Sequence, residues 1–358
     1  MHRWYNKNVG LTLDITTHCN AKCPQCARTD HSSGGLKRYQ RIPLVHWSLE
    51  DIQKVYTKEQ LETIKSITFS PSWGDPMMNP QVYEIIDYLL ENLPDGGSLK
   101  NVTNGSMRDE DYWWKLGGLA VKHKTKLFIT TFDIDGVTQE MHSHYRRNTV
   151  LQKTLDNMKA FSDNGKSISV SQTIVFKHNQ DYMEDIEQLA KQYGSKRNTF
   201  IKSDRFDRDK NGNYKPYLFL DENNQGVYLE WADKPWKTSK ISQQQEELDK
   251  QIVCKWAVTN NLNINFDGQV WPCCYIGAIP YSRPKHVNEF NQHPLIEDYN
   301  SNRLMYNVKH TPIKQIIEGI WYTKTLQESI SNNPLNVCQK QCSTQIRSLE
   351  QFQLRTSL

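Results

Sequence analysis

The chain has 358 residues, with 44 lysines and arginines against 40 aspartates and glutamates, for a formal net charge of +4. That balance is too small and scattered for a nucleic-acid partner, and a solvated surface accounts for it. With 37% hydrophobic residues and a mean hydropathy of −0.74, no apolar run approaches the ~18 residues of a membrane helix. At ~100–200 residues per domain, this length suggests two or three domains. The N-terminal MHRWYNKNVG lacks the apolar core of an export signal, so a cytoplasmic protein is expected. Eight cysteines in such a chain point to metal binding rather than disulfides.

The first strand expected is Leu11–Ile15, with alternating Leu11, Leu13 and Ile15. It leads into LTLDITTHCNAKCPQCAR, which places Cys19, Cys23 and Cys26 on one loop as C-x3-C-x2-C. Thiols this close are badly placed for disulfides and well placed to hold one inorganic core. A cubane has four irons, so three thiolates leave one iron open to bind and activate a small molecule. The competing reading is a zinc site completed by His18 or His31.

Further strands are expected at Ser66–Ser70, Ser98–Val102, Lys126–Phe132, Ser167–Val175 and Thr199–Ile201. Helices alternate with them. Ser48 and Asp51 form a capping pattern before Ile52, Val55 and Leu61. Asn79-Pro80 reads as an N-cap and an N1 proline ahead of the stripe Val82, Ile85, Ile86 and Leu89. Asp181 and Glu184 begin a helix that Gly194 closes. Six βα units imply a parallel sheet covered by helices, with ligands at the carboxyl ends of the strands. Residues 203–253 then read as a polar connecting segment with a short helix near Gln243–Asp249.

A second centre begins at Cys254. A strand at Leu262–Phe266, an Asp267-Gly268 turn and Val270 form a hairpin pattern that brings Cys254 near Cys273. Cys338 and Cys342 follow as C-x3-C, so four thiols in two local pairs can enclose a cluster or a structural zinc. Cys274 is spare. It is either a small buried residue or alternative ligand, or a hydrogen-atom donor that quenches a substrate radical. Residues 277–314 are long for a loop, which often marks binding or mobility. Ile316–Leu326 reads as a helix of the same region.

The three-cysteine loop after the first strand resembles that of the radical S-adenosylmethionine (SAM) enzymes. The resemblance implies a (β/α)6 partial TIM barrel of the α/β class, in which the open iron chelates SAM. One electron then releases a 5′-deoxyadenosyl radical that abstracts a hydrogen atom from substrate. Ser72-Trp73-Gly74-Asp75-Pro76 is similar to the family's Gly-Gly-Glu-Pro segment, which binds the SAM amino group. Thr103-Asn104-Gly105 resembles its recurrent Thr-Asn-Gly. The stretch FDIDGVTQEMHSHYRRN is similar to the Ser-x-Asp-Gly…His-x-x-Tyr-Arg stretch of the peptide-modifying branch. Asp133 and Asp135 would then lie near the ribose, and Arg146 would pair with the SAM carboxylate. His142, His144 and Tyr145 belong to the same stretch, with structural or surface roles preferred to catalytic ones.

Cys254, thirteen residues, Gly268, four residues and Cys273 match the start of the SPASM/twitch pattern. Too few cysteines remain for two clusters there, so the resemblance implies one auxiliary [4Fe–4S] cluster on Cys254, Cys273, Cys338 and Cys342. It also implies a small α+β C-terminal domain. The expected division is 1–203 for the barrel, 204–253 for the connection and 254–358 for the auxiliary domain. The expected function is radical modification of a peptide, by oxidation, crosslinking or epimerisation, with flavodoxin or ferredoxin as electron donor. The alternatives are a radical SAM dehydrogenase or epimerase of a sugar or other small polar substrate and, from another class, a zinc-stabilised binding protein.

Overall fold

A computed structural model describes residues 5, 8–70, 72–203, 205–234, 252–282 and 284–342. The helix expected near Gln243–Asp249 lies outside the described residues, as do residues 343–358 of the expected auxiliary domain. No helix among the described residues is long and apolar enough to cross a membrane. The fold is mixed α/β with an eight-stranded, mainly parallel main sheet.

In chain order the strands are β1 (Val9–Leu13), β2 (Ile64–Phe69), β3 (Ser98–Thr103), β4 (Leu127–Asp133), β5 (Ile168–Val175) and β6 (Asn198–Lys202). These are the six the sequence predicted, each within about two residues, as hydrogen-bond assignments of element ends allow. Then come β7 (Tyr217–Leu220), β8 (Gly226–Leu229), β9 (Asn261–Ile264) and β10 (Val270–Trp271). The helices used below are α1 (Leu49–Val55), α2 (Val82–Asn92), α3 (Glu110–Lys122), α4 (Gln139–Tyr145), α5 (Leu151–Ser162) and α6 (Met183–Gln192). Later in the chain are α7 (Cys274–Ala278), α8 (Pro284–Asn291), α9 (Pro294–Ser301), α10 (Ile313–Glu318), α11 (Leu326–Asn332) and α12 (Asn336–Cys342).

The chain divides into two compact units. One comprises Asp14–Leu49 and Thr68–Pro235. Within it β3, β4, β5 and β6 pair in parallel and in sequence order. One face of these strands packs on helices through Phe128, Phe132, Trp113 of α3 and Phe161 of α5, with ring centroids 5.0–6.2 Å apart. Asn79 does not act as a simple helix cap. Its Nδ2 donates to the carbonyls of Ile15 (3.1 Å) and Trp47 (2.8 Å), and its Oδ1 accepts from Gln81 N (2.9 Å). The cap-like residue thus ties three chain segments together before α2 begins at Val82. Gly194 does close its helix, with φ +98.

The expected polar connection contains an antiparallel hairpin, β7–β8, with Tyr217 opposite Leu229 and Phe219 opposite Val227. Its turn is held by Asp221, whose Oδ1 accepts from Asn223 N and Gln225 N at 2.8 Å each. The apolar alternation is only four residues long on each side, which polar flanks dilute in any wider window.

The other unit comprises Met1–Leu13, Glu50–Ile67 and Trp236–Leu358. Here β9 pairs in parallel with β1 and antiparallel with β10, across the predicted Asp267-Gly268 turn. Gly268 has φ +87, the left-handed value such a turn needs. The long excursion after Gly277 is not a loop. Pro284 and Pro294 open α8 and α9, and Phe290, Leu295, Ile296 and Tyr299 are buried. Nor is Ile316–Leu326 one helix: α10 stops at Gly319, and a π-turn over Trp321–Thr325 precedes α11. The wider turn accompanies burial of two consecutive rings, Trp321 and Tyr322. Their polar atoms reach the carbonyls of Leu295 (3.0 Å) and Val270 (2.8 Å).

Candidate functional site

The first unit carries the three-cysteine loop. Short-range bonds shape it: Cys26 N donates to Cys23 O (3.1 Å), Thr29 Oγ1 to Cys23 O (2.9 Å), and Arg28 Nε to Thr17 O (2.9 Å). Lys22 N donates to Arg147 O (2.9 Å), which anchors the loop to the segment after α4. Cys19, Cys23 and Cys26 lie within electrostatic reach of one another. Burial pushes Cys23 up to about 12, and Cys19 is raised for the same reason. Without a bound cation these thiols stay protonated; cationic irons would reverse that preference.

Sequence reasoning missed what covers this loop. Cys23 packs in a buried cluster with Tyr145, Phe176, Phe206, Phe219 and Leu229, and Cys26 lies against it. The β7–β8 hairpin supplies two of those five, Phe219 and Leu229. Tyr217 Oη donates to Pro24 O (3.2 Å), Leu220 N to Gly34 O (2.8 Å), and Arg147 Nη1 to Leu220 O (2.6 Å). The signal in the sequence was the density of aromatic residues between Phe206 and Trp231.

The Gly74-Asp75-Pro76 and Thr103-Asn104 segments meet beside the cysteine loop. Asp75 N donates to His18 O (2.7 Å). A Cβ on Gly74 would sit 2.4 Å from Thr16 O and 2.7 Å from His18 O, so only glycine permits this approach. Asp75 is 1% exposed. Its oxygens accept from Thr103 Oγ1 (2.8 Å), Asn104 N (2.8 Å), Asn104 Nδ2 (2.6 Å) and Met77 N (3.0 Å). Those donors make Asp75 a knot between strand ends. Asn104 Nδ2 also reaches Asn20 Oδ1 (2.8 Å) and lies 3.9 Å from Cys19 Sγ. Replacing Asp75 by alanine leaves these donors unpaired and is expected to cost at least ~2 kcal/mol in urea unfolding.

Asp133, Asp135 and Arg146 form the adjoining group. Arg146 Nη1 is 2.9 Å from Asp133 Oδ2, and its Nε is 2.6 Å from Asp135 Oδ2. Burial pushes Asp133 up to about 7, with the Arg146 charge acting against it, and raises Asp135 likewise. Asp135 Oδ1 also accepts from Ile174 N (2.6 Å). Arg146 therefore faces two carboxylates where the sequence reading gave it one ligand carboxylate. His142 is fully buried, between Asp135 N (3.2 Å) and Thr149 Oγ1 (3.0 Å), and burial lowers it to about 3. That makes it a neutral structural side chain. His144 contacts Tyr228 O (3.2 Å) on the hairpin, and Tyr145 is buried against Phe176.

The second unit carries the other thiols. Cys254, Cys273, Cys338 and Cys342 line one small cavity with Ile252, Ile276 and Ile330. Cys338 and Cys342 sit one turn apart on α12 and share a face. Cys273 caps α7, its Sγ accepting from Ile276 N (3.4 Å). Burial pushes Cys254 up to about 11 and Cys338 up to about 12. Buried Tyr5 lies within electrostatic reach of all four thiols. Cys274, the first residue of α7, is half-buried and adjoins Cys273 rather than the cavity.

All eight cysteines are free thiols. Among the described residues no three His, Cys, Asp or Glu side chains converge tightly enough to hold a single metal ion. Three thiols on one loop and four around one cavity instead suit iron–sulfur clusters, and three thiolates leave one iron of a cubane open.

Comparison with known proteins agrees. The radical SAM superfamily profile matches residues 13–191, and the profile of an iron–sulfur cluster-binding domain, SPASM, matches residues 254–343. The chain belongs to the radical SAM superfamily. Membership sets aside the zinc alternative for both cysteine groups. The cofactors are a [4Fe–4S] cluster with an open iron for SAM, SAM itself and an auxiliary cluster. No curated protein matches the chain in sequence.

Solved structures share the fold at low identity. Native anSMEcpe with bound AdoMet has a TM-score of 0.52 at 14% identity, covering 97% of each chain. AnSMEcpe with AdoMet and the Cp18Cys peptide gives 0.50 at 16%, covering 93% of this chain and 85% of that one. Streptococcus suis SuiB gives 0.51 at 9%, covering 85% and 71%. The partial-barrel α/β fold with a C-terminal cluster domain is thus the one predicted.

Proposed function

We propose that this enzyme modifies a peptide, abstracting a hydrogen atom from an unactivated C–H bond, with net oxidation, crosslinking or epimerisation as the outcome. The observation that carries the reading is the Asp133–Asp135–Arg146 group beside the three-cysteine loop, built from the stretch that resembles the peptide-modifying branch. A similarly folded protein that binds AdoMet and a peptide together supports it. When bound, the cluster and SAM supply the radical. Cys19, Cys23 and Cys26 would hold the cluster. Gly74, Asp75, Pro76, Thr103 and Asn104 would shape the wall for the SAM amino group. Arg146 would orient the carboxylate end, with Asp133 and Asp135 toward the ribose. The aromatic cover around Cys23 keeps water from the loop.

Cys254, Cys273, Cys338 and Cys342 would hold the auxiliary cluster, with Cys274 as a candidate hydrogen donor. The division at 1–203, 204–253 and 254–358, a flavodoxin- or ferredoxin-like electron donor and a cytoplasmic location belong to the same proposal. The test is anaerobic incubation of the reduced, reconstituted protein with SAM and a peptide library, reading 5′-deoxyadenosine and peptide mass. Peptide-stimulated release with a mass change supports the reading. Release that no peptide stimulates, but a sugar does, replaces it.

A further inference from the structure

A closed ring of hydrogen bonds stands beside Cys19. Asn104 Nδ2 donates to Asn20 Oδ1 (2.8 Å), Asn20 Nδ2 to Ser106 Oγ (2.8 Å), and Ser106 Oγ to Asn104 Oδ1 (2.8 Å). Each side chain gives one hydrogen and takes one, so the three hold one another's orientation. Ser106 N fixes the sense of the ring, because a backbone N–H only donates, and it meets Asn104 Oδ1 at 3.0 Å. Gly105 permits that turn with φ +72. Asn20 directly follows Cys19, and Asn148 Nδ2 holds its carbonyl (2.6 Å). The ring therefore joins the three-cysteine loop to the segment after β3.

Its sense turns Asn104 Nδ2 toward three acceptors, with two hydrogens to give. Asp75 Oδ2 lies at 2.6 Å, Asn20 Oδ1 at 2.8 Å and Cys19 Sγ at 3.9 Å. Asn104 is 3% exposed, which leaves water little access to compete. While Cys19 is a neutral thiol, the two oxygens hold the hydrogens. As a cluster ligand Cys19 is a thiolate, and the electron that reduces the cluster adds negative charge shared by its sulfurs. An N–H aimed at such a sulfur stabilises the reduced form more than the oxidised one, and so raises the potential. Burial and, after it, the Asp75 carboxylate oppose negative charge on Cys19, whereas the Arg28 charge favours it.

We propose that Asn104 is a positioning residue that sets the reduction potential of the SAM cluster through Cys19, with Asn20 limiting how far it donates. This goes beyond the peptide reading and holds for any substrate.

The test is a dithionite titration of the reconstituted protein followed by electron paramagnetic resonance, with iron content checked in each variant. The Cys19/Cys23/Cys26→Ala protein supplies the auxiliary signal to subtract. Asn104→Leu removes the donor and should make the cluster harder to reduce, by about tenfold in the equilibrium constant, or about 59 mV for one electron. Asn20→Ala removes the competing acceptor, while both bonds from Ser106 still hold the Asn104 amide, so the freed hydrogen passes to Cys19. That cluster should be several-fold easier to reduce. A general defect in the scaffold would move both variants the same way. Shifts of the same sign, or the absence of either shift, overturn the proposal. Should Asn104→Leu fail to load iron, Asn20→Ala decides alone: a higher potential supports the proposal, and a lower or unchanged one overturns it.

Discussion

The Cys19/Cys23/Cys26→Ala triple variant is expected to fall from about eight irons per chain to about four and to lose all reductive cleavage of SAM. The three thiols sit on one loop of one unit, and the other four line a cavity of the other unit. Emptying the first set therefore leaves the second donor set intact. Iron and sulfide analysis after anaerobic reconstitution, together with chromatography of 5′-deoxyadenosine, checks both halves. A fall from about four irons to none would mean that Cys254, Cys273, Cys338 and Cys342 hold no cluster. The search for products would then turn to redox-neutral reactions. The aromatic cover over Cys23 contributes no ligand, so the apo variant should remain folded.

Arg146→Met should be among the most destabilising single changes in the unit of the three-cysteine loop. It leaves Asp133 and Asp135, 3% and 0% exposed, without their cation. Breaking a buried pair from one side typically costs roughly 3–5 kcal/mol. The pH dependence gives a sharper signature. With a folded pKa raised to about 7 and an unfolded one near ~4, Asp133 binds more protons folded than unfolded between those values. Its share of stability is therefore greatest at the acid end and is lost as pH rises through that window. Removing Arg146 takes away the charge that holds the folded value down, so the loss extends to higher pH. Urea unfolding across pH should show the variant closest to wild type in acid and furthest from it above neutrality. Arg146→Met combined with Asp133→Asn should recover part of the difference. A pH-independent deficit would mean that lost packing, not the stranded carboxylates, causes it.

Much of the fold was legible because its signals are local. Alternation marked the six strands, Asp267-Gly268 marked the β9–β10 turn, and Gly194 marked a helix end. What local patterns missed was decided by distant partners. Asn79 was legible as a cap, and its Oδ1 does accept from Gln81 N, but the tie from its Nδ2 to the carbonyls of Ile15 and Trp47 was not. Asp75 was legible as part of a binding segment, but the donation from Thr103 and Asn104 to its oxygens was not. The β7–β8 hairpin was read as solvated chain, since its few apolar residues gain meaning only against Cys23 and Tyr145.

By itself the sequence determined the chemistry. Cysteine spacing is a property of a few consecutive residues, and an open-iron donor set is set by which ligands are within reach along the chain. Only the tertiary structure decided the electrostatics around that chemistry. Whether a carboxylate is already bonded by its own chain, as Asp75 is by Thr103 and Asn104, depends on which residues far apart in the chain arrive side by side. No local pattern encodes that register, because it is set by the packing of the whole face.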